Sequence, residues 1–174
     1  MSVHLLRRQF TVEEYKRMIE VGILTKYDRV ELIKGEIVQM AAIGRRHAAC
    51  VNRLAELFIR RLGQVVTVGV QNPVELNDNS EPQPDLALLR RRADFYEAGH
   101  PKPENVLLLV EVADTTVESD REVKIPLYAM SNIPEVWLVN INERSLEVYR
   151  EPAPNAYQNI QSLQSGQIRV VQAF

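Results

Sequence analysis

One cysteine, seven glycines and a 6% share of aromatic residues leave several chemistries without material in this 174-residue chain. Cys50 alone cannot close an internal disulfide, which suits a reducing compartment and an expected cytoplasmic location. There is no glycine-rich phosphate loop, no Cys/His zinc spacing and no nucleophile elbow. No apolar run approaches the roughly 20 residues of a membrane helix, so no membrane partner is expected. The longest run, Val106 to Val110, has the length of a strand. The opening Met-Ser-Val-His-Leu-Leu-Arg-Arg does not read as a signal peptide: its apolar stretch is short, and Arg7 and Arg8 follow it rather than precede it. A basic excess is missing as well. The net charge is −2, which argues against constitutive, tight binding of nucleic acid. The clusters Arg45-Arg46, Arg60-Arg61 and Arg90-Arg91-Arg92 read as solvated surface.

What is present is ordinary for a soluble globular protein, with 45% apolar and 25% charged residues. The length fits one domain spanning residues 1–174. Such a chain buries about 70% of its unfolded surface without disulfides.

Along the chain, Thr11-Val-Glu-Glu14 forms a capping box for a helix running to about Glu20 and ending at Gly22. Two β-rich runs flank Lys34-Gly35 and predict a hairpin. A second helix is predicted over 45–62, because His47, Cys50, Val51, Leu54, Leu57 and Phe58 recur at helical spacing. Strands are predicted over 65–70 and 85–89, with 74–76 as an extension of the first. A short helix is placed near Asp94-Phe-Tyr96. The nearly continuous apolar run 106–112 reads as a buried central strand. A helix follows over about 118–130, where Pro126 demands a start near Glu122 or a bend. Two more strands are expected at 135–139 and 146–149, then a polar tail with one strand at 167–171. The order is that of a mixed α/β fold.

Two carboxylates stand in unfavourable places. Asp85 opens an apolar strand, and Glu111 lies near the end of the most apolar one. A buried lone charge costs several kcal/mol, so such groups are paired, protonated or bound to a metal. If the strands are neighbours, both carboxylates meet at one end of the sheet. Their repulsion raises one pKa unless a cation lies between them. Mg²⁺ meets that need with oxygen ligands. Asp120, Lys124 and Tyr128 share one helical face directly after the Glu111 strand. The Lys124 ammonium is placed to hold a water or to balance charge on a phosphate.

An ordered set of segments carries a family resemblance: Phe10-Thr-Val-Glu-Glu-Tyr15, Arg29-Val-Glu-Leu-Ile-Lys-Gly-Glu36, Gly44 with His47, and Gln71-Asn-Pro73. It continues with Glu81-Pro-Gln-Pro-Asp-Leu86, Glu111-Val112, Asp120-Arg-Glu-Val-Lys124 and Ile133-Pro-Glu-Val-Trp137. Over about residues 9–151 the chain resembles the Uma-type restriction endonucleases of the PD-(D/E)XK nuclease superfamily. The resemblance implies a core of helix, three antiparallel strands, helix and strand, preceded by an N-terminal helix and β-hairpin. It implies Asp85, Glu111 and the Val112 backbone carbonyl as ligands of Mg²⁺, with Mn²⁺ as a substitute. It implies metal-dependent hydrolysis of phosphodiester bonds in nucleic acid, with DNA the expected partner. The chain departs from the superfamily pattern at Ala113, where the lysine is usual. In Uma-type relatives the lysine stands on the following helix, here at Lys124.

His47, Gln71, Glu31 and Tyr128 are supporting candidates. Each has a plainer reading: His47 and Tyr128 as packed core, Glu31 and Glu36 as exposed hairpin residues, Asp114 as a helix cap. Ala113 and the acidic balance keep open a non-catalytic module that binds nucleic acid or protein on a nuclease scaffold. An enzyme for another anionic substrate fits the same site. A homodimer is expected, since a small nuclease core needs two copies to cut both strands of a duplex.

Overall fold

The computed structural model describes residues 6–166. Helix α1 (Val12–Glu20) starts with the capping box read from the sequence. Thr11 Oγ1 accepts from the Glu14 backbone N–H at 3.1 Å, and the Thr11 N–H donates to Glu14 Oε2 at 3.0 Å. Strands β1 (Val30–Ile33) and β2 (Glu36–Gln39) form the hairpin. Both turn residues have positive φ, 50° at Lys34 and 79° at Gly35, as a tight two-residue turn requires. Val12 and Tyr15 of α1 pack on Leu32, and Tyr15 Oη donates to the Val30 carbonyl at 3.1 Å.

A Cβ on Gly35 would lie 2.5 Å from Gln9 Cβ. Gly35→Ala is therefore expected to cost about 1–3 kcal/mol, since strained φ and a clash with the main chain act together. A urea unfolding curve measures this directly, and an unchanged midpoint would contradict it.

Helix α2 (Arg45–Leu62) precedes strands β3 (Val66–Val70), β4 (Leu86–Arg90) and β5 (Val106–Ala113). A single 3₁₀ turn, Pro103–Asn105, leads into β5. The chain then crosses over through α3 (Val117–Ser119), a π-turn at Asp120–Lys124 and α4 (Ile125–Met130). It returns in β6 (Glu135–Asn140), β7 (Ser145–Pro152) and β8 (Tyr157–Gln164). The six-stranded sheet has the order β3-β4-β5-β6-β7-β8. Among the described strands only β5 and β6 run parallel, as expected when a helical crossover joins two strands.

The period-2 alternation of β5 sorts its side chains onto two faces. Leu108, Val110 and Val112 pack under Val51, Ala55 and Phe58 of α2. Leu109 and Ala113 face Ile125, Leu127, Tyr128 and Ala129 of α4. Helices thus cover both faces of the central strands, which explains the apolar run. Glu111 lies on the α4 side, between Leu109 and Ala113.

Three expectations are corrected. Residues 74–76 form no strand: Val74 and Leu76 are buried in a loop held by bonds to the Pro82 and Ser80 carbonyls. Residues 94–96 are a turn in which Phe95 and Tyr96 take φ of 48° and 66°. Strand β8 went unread because its Gln- and Asn-rich sequence has low strand preference. As the last strand of the sheet it buries mainly Tyr157 and Leu163. The interruption expected ahead of Pro126 takes the form of the π-turn. The Ile125 N–H reaches the Asp120 carbonyl five residues back, so Pro126 falls in the first turn of α4, where no donor is needed. The expected strand at 167–171 lies outside the described residues. No helix among the described residues is long and apolar enough to cross a membrane.

Candidate functional site

Asp85 lies just before β4, next to the end of β5. Its Oδ2 accepts from the Val112 backbone N–H at 2.8 Å, and its Oδ1 accepts from Gln71 Nε2 at 3.2 Å. His47, one turn into α2, brings Nε2 to 3.0 Å from Asp85 Oδ1. The hydrogen bond to Asp85 raises the His47 pKa, against the opposing effect of burial. His47 Nδ1 is buried and has no partner among the described residues. Buried polar nitrogens are normally paired, so this one points to a water or ligand.

Glu111 is 3% exposed. Its Oε1 accepts from Tyr128 Oη at 2.5 Å and from Lys124 Nζ at 3.3 Å. Lys124 Nζ also lies 3.2 Å from Glu31 Oε1. The other Glu31 oxygen, Oε2, accepts from the Gln83 backbone N–H at 2.9 Å. The hairpin delivers Glu31 because Leu32 bridges to Glu81 in the loop that leads to Asp85. Asp120 completes the cluster, 6% exposed and hydrogen-bonded to Thr116 Oγ1 at 2.7 Å.

Burial pushes the Glu111 pKa well up, partly countered by Lys124, while Asp120, Asp85 and Glu31 raise it further. Burial also raises Asp120. Burial alone would lower Lys124, but Glu111, Glu31 and Asp120 outweigh it and hold the ammonium charged. Tyr128 is raised by burial and by Glu111, so it stays a hydroxyl donor.

Asp85, Glu111, Lys124, His47, Gln71, Glu31 and Tyr128 therefore converge on one place. All but Tyr128 line a cleft of about 200 Å³. Glu36 does not join them; it is exposed and pairs with Arg7 at 3.5 Å. Asp114 is no simple cap: its side chain pairs with Arg46 at 3.4 Å, and it lines the cleft. Asp120 and Gln83 went unassigned from sequence. The signal for Asp120 was its place four residues before Lys124, on the same face.

The donor set suits a hard divalent cation. Four carboxylates share one lysine, and their mutual repulsion is the kind that such an ion relieves. Among the described residues no three His, Cys, Asp or Glu side chains form a ready metal shell. Mg²⁺ tolerates this, because it keeps several waters and takes few protein ligands.

A mixed sheet with helices on both faces and a buried acidic cleft at the end of its central strands defines the class: a restriction-endonuclease-like fold. The chain belongs to the Uma2 family, whose model, described as "Putative restriction endonuclease", matches residues 12–174. The match runs past the expected end near residue 151 and takes in β8. Among solved structures the chain is similar to one described as a "putative nuclease belonging to DUF820" from Anabaena variabilis ATCC 29413. The TM-score is 0.67 at 15% identity, covering 92% of this chain and 88% of that one. No curated protein matches.

Proposed function

We propose that this cleft is the active site of a Mg²⁺-dependent endonuclease that hydrolyses phosphodiester bonds in DNA. The observation that carries the reading is Lys124, whose buried ammonium lies between Glu31 and Glu111 in the cleft that also holds Asp85. Residue 113 shares the Glu111 face of β5, and there Ala113 is fully buried against α4. A lysine entering from the π-turn reaches the same carboxylate from the other side. The position lost on the strand is thus supplied by the crossover.

Asp85, Glu111 and the Val112 carbonyl would hold Mg²⁺ or Mn²⁺, which when bound supplies Lewis-acid activation of water and phosphate. His47 and Gln71 fix the rotamer of Asp85, and Tyr128 fixes that of Glu111; such partners orient ligands. Lys124 places a positive charge beside the scissile phosphate, where it stabilises the charge that develops during attack. Two copies related by a twofold axis would cut both strands.

Calorimetric titration with Mn²⁺, run beside a plasmid-cleavage assay, tests the reading. The wild-type chain should bind the ion and nick DNA, and Asp85→Ala and Glu111→Ala should each remove both. Cleavage that survives Asp85→Ala would overturn the assignment. Ion binding with no hydrolysis of any nucleic acid would favour a binding module on the same scaffold.

A further inference from the structure

Beside the acidic cleft lies a larger groove of about 820 Å³ between α2 and the β6–β8 side of the sheet. Among the described residues its lining includes Arg45, Arg46, Arg53 and Arg144 but no aspartate or glutamate. In a chain of net charge −2 this is a marked local separation of sign. Arg46 joins the two regions: its NH1 contacts Asp114 Oδ1, which borders the cleft, at 3.4 Å and Asn142 Oδ1 at 2.9 Å. Arg45, Arg53 and Arg144 are exposed and make no hydrogen bond or ion pair with any described residue.

The described fold does not account for Arg45, Arg53 and Arg144. Arg45 and Arg46 occupy the first turn of α2, where positive charge opposes the helix dipole. Arg144 sits in the β6–β7 turn at φ 53°, a conformation better suited to glycine or asparagine. Among the described residues the groove has no aromatic side chain in its lining, so these residues offer no stacking platform of the kind by which proteins hold single strands.

From this we infer that the groove is a seat for the phosphate backbone of duplex DNA, delivering one strand to the cleft. The inference rests on the nuclease reading for its direction but not for its test. Guanidiniums with no partner among the described residues suit phosphate oxygens, and neutralising phosphates releases counterions, which makes binding depend on salt.

The experiment is fluorescence anisotropy with a labelled 20-base-pair duplex in EDTA, across a salt series. Arg53→Ala/Arg144→Ala should weaken binding roughly 10- to 100-fold near 0.1 M salt and reduce the log–log salt slope by about 2. Arg60→Ala/Arg61→Ala removes the same charge at the far end of α2 and should change affinity less than about threefold. Should the alanine pair melt early, Arg53→Gln/Arg144→Gln serves in its place. Equal losses in the two doubles, or no duplex binding by the wild-type chain, would overturn the proposal. Groove-dependent binding without cleavage in Mg²⁺ or Mn²⁺ would keep it while removing the nuclease reading. Cleavage indifferent to Arg53 and Arg144 would do the reverse.

Discussion

Lys124→Met is expected to reduce Mg²⁺-dependent cleavage by roughly 10²–10³-fold, the usual effect of removing one preorganised donor at a developing charge. The same change should lower stability at neutral pH by about 3–5 kcal/mol, because it leaves Glu31 and Glu111 facing each other without their cation. The side chains of Lys124, Glu31 and Glu111 are 11%, 7% and 4% exposed, so water screens little of this. The stability deficit has a sign in pH. Burial already raises Glu111 in the folded protein, and loss of the ammonium raises it further. A raised folded pKa favours the fold when the group is protonated and disfavours it as pH climbs through that value. Thermal melts should therefore show a larger deficit at pH 8 than at pH 5. A variant that cuts DNA at the wild-type rate would remove Lys124 from the mechanism. A deficit that grows towards acid would contradict the electrostatic account.

Arg150→Met should destabilise the protein by about 3–5 kcal/mol without touching the cleft. Arg150 on β7 reaches Glu135 Oε1 on β6 at 3.0 Å, and Trp137 Nε1 donates to the same oxygen at 2.7 Å. Both charged side chains are nearly sealed, at 6% and 3% exposed. Breaking a buried pair by removing one partner takes the cation away from a carboxylate that stays buried, which is the costly case. For a chain of this size the melting temperature should fall by roughly 10 °C. Removing both charges is a different matter. Glu135→Leu/Arg150→Met should recover most of the loss, since apolar replacements of similar volume often match a buried pair. Melting curves of the two variants decide the point. An Arg150→Met variant within about 1 kcal/mol of wild type would show that Glu135 is compensated without Arg150.

Much of the site was legible in the chain because its residues break local rules. Asp85 and Glu111 are carboxylates in apolar strand sequence. Burial there is foreseeable, and so is the need for compensation. The capping box at Thr11 and the Lys34-Gly35 turn are local devices, and both formed as read. Lys124 was reached through resemblance and helical spacing. His47 was ambiguous, since an apolar helical face fits a core histidine equally well. Glu31 was read as an exposed hairpin residue but is buried, because a four-residue strand in a two-stranded hairpin does not say which face is covered. The Ile133-Pro-Glu-Val-Trp137 segment belonged to the resemblance, yet nothing local revealed that Glu135 pairs with Arg150.

The sequence by itself determined the elements with strong local signals: α1, the hairpin, α2, the buried β5 and the interruption before Pro126. Periodicity, capping and turn chemistry are short-range and act before the chain closes. Only the tertiary structure decided which charges meet. The hairpin docks on the loop before Asp85 and brings Glu31 to Lys124. The π-turn points Lys124 at the Glu111 face of β5, where Ala113 supplies no cation. The β6–β7 turn and α2 place their arginines around one groove. These encounters join residues up to about a hundred positions apart, such as Arg46 and Asn142. They depend on strand order and helix docking, which no local spacing encodes.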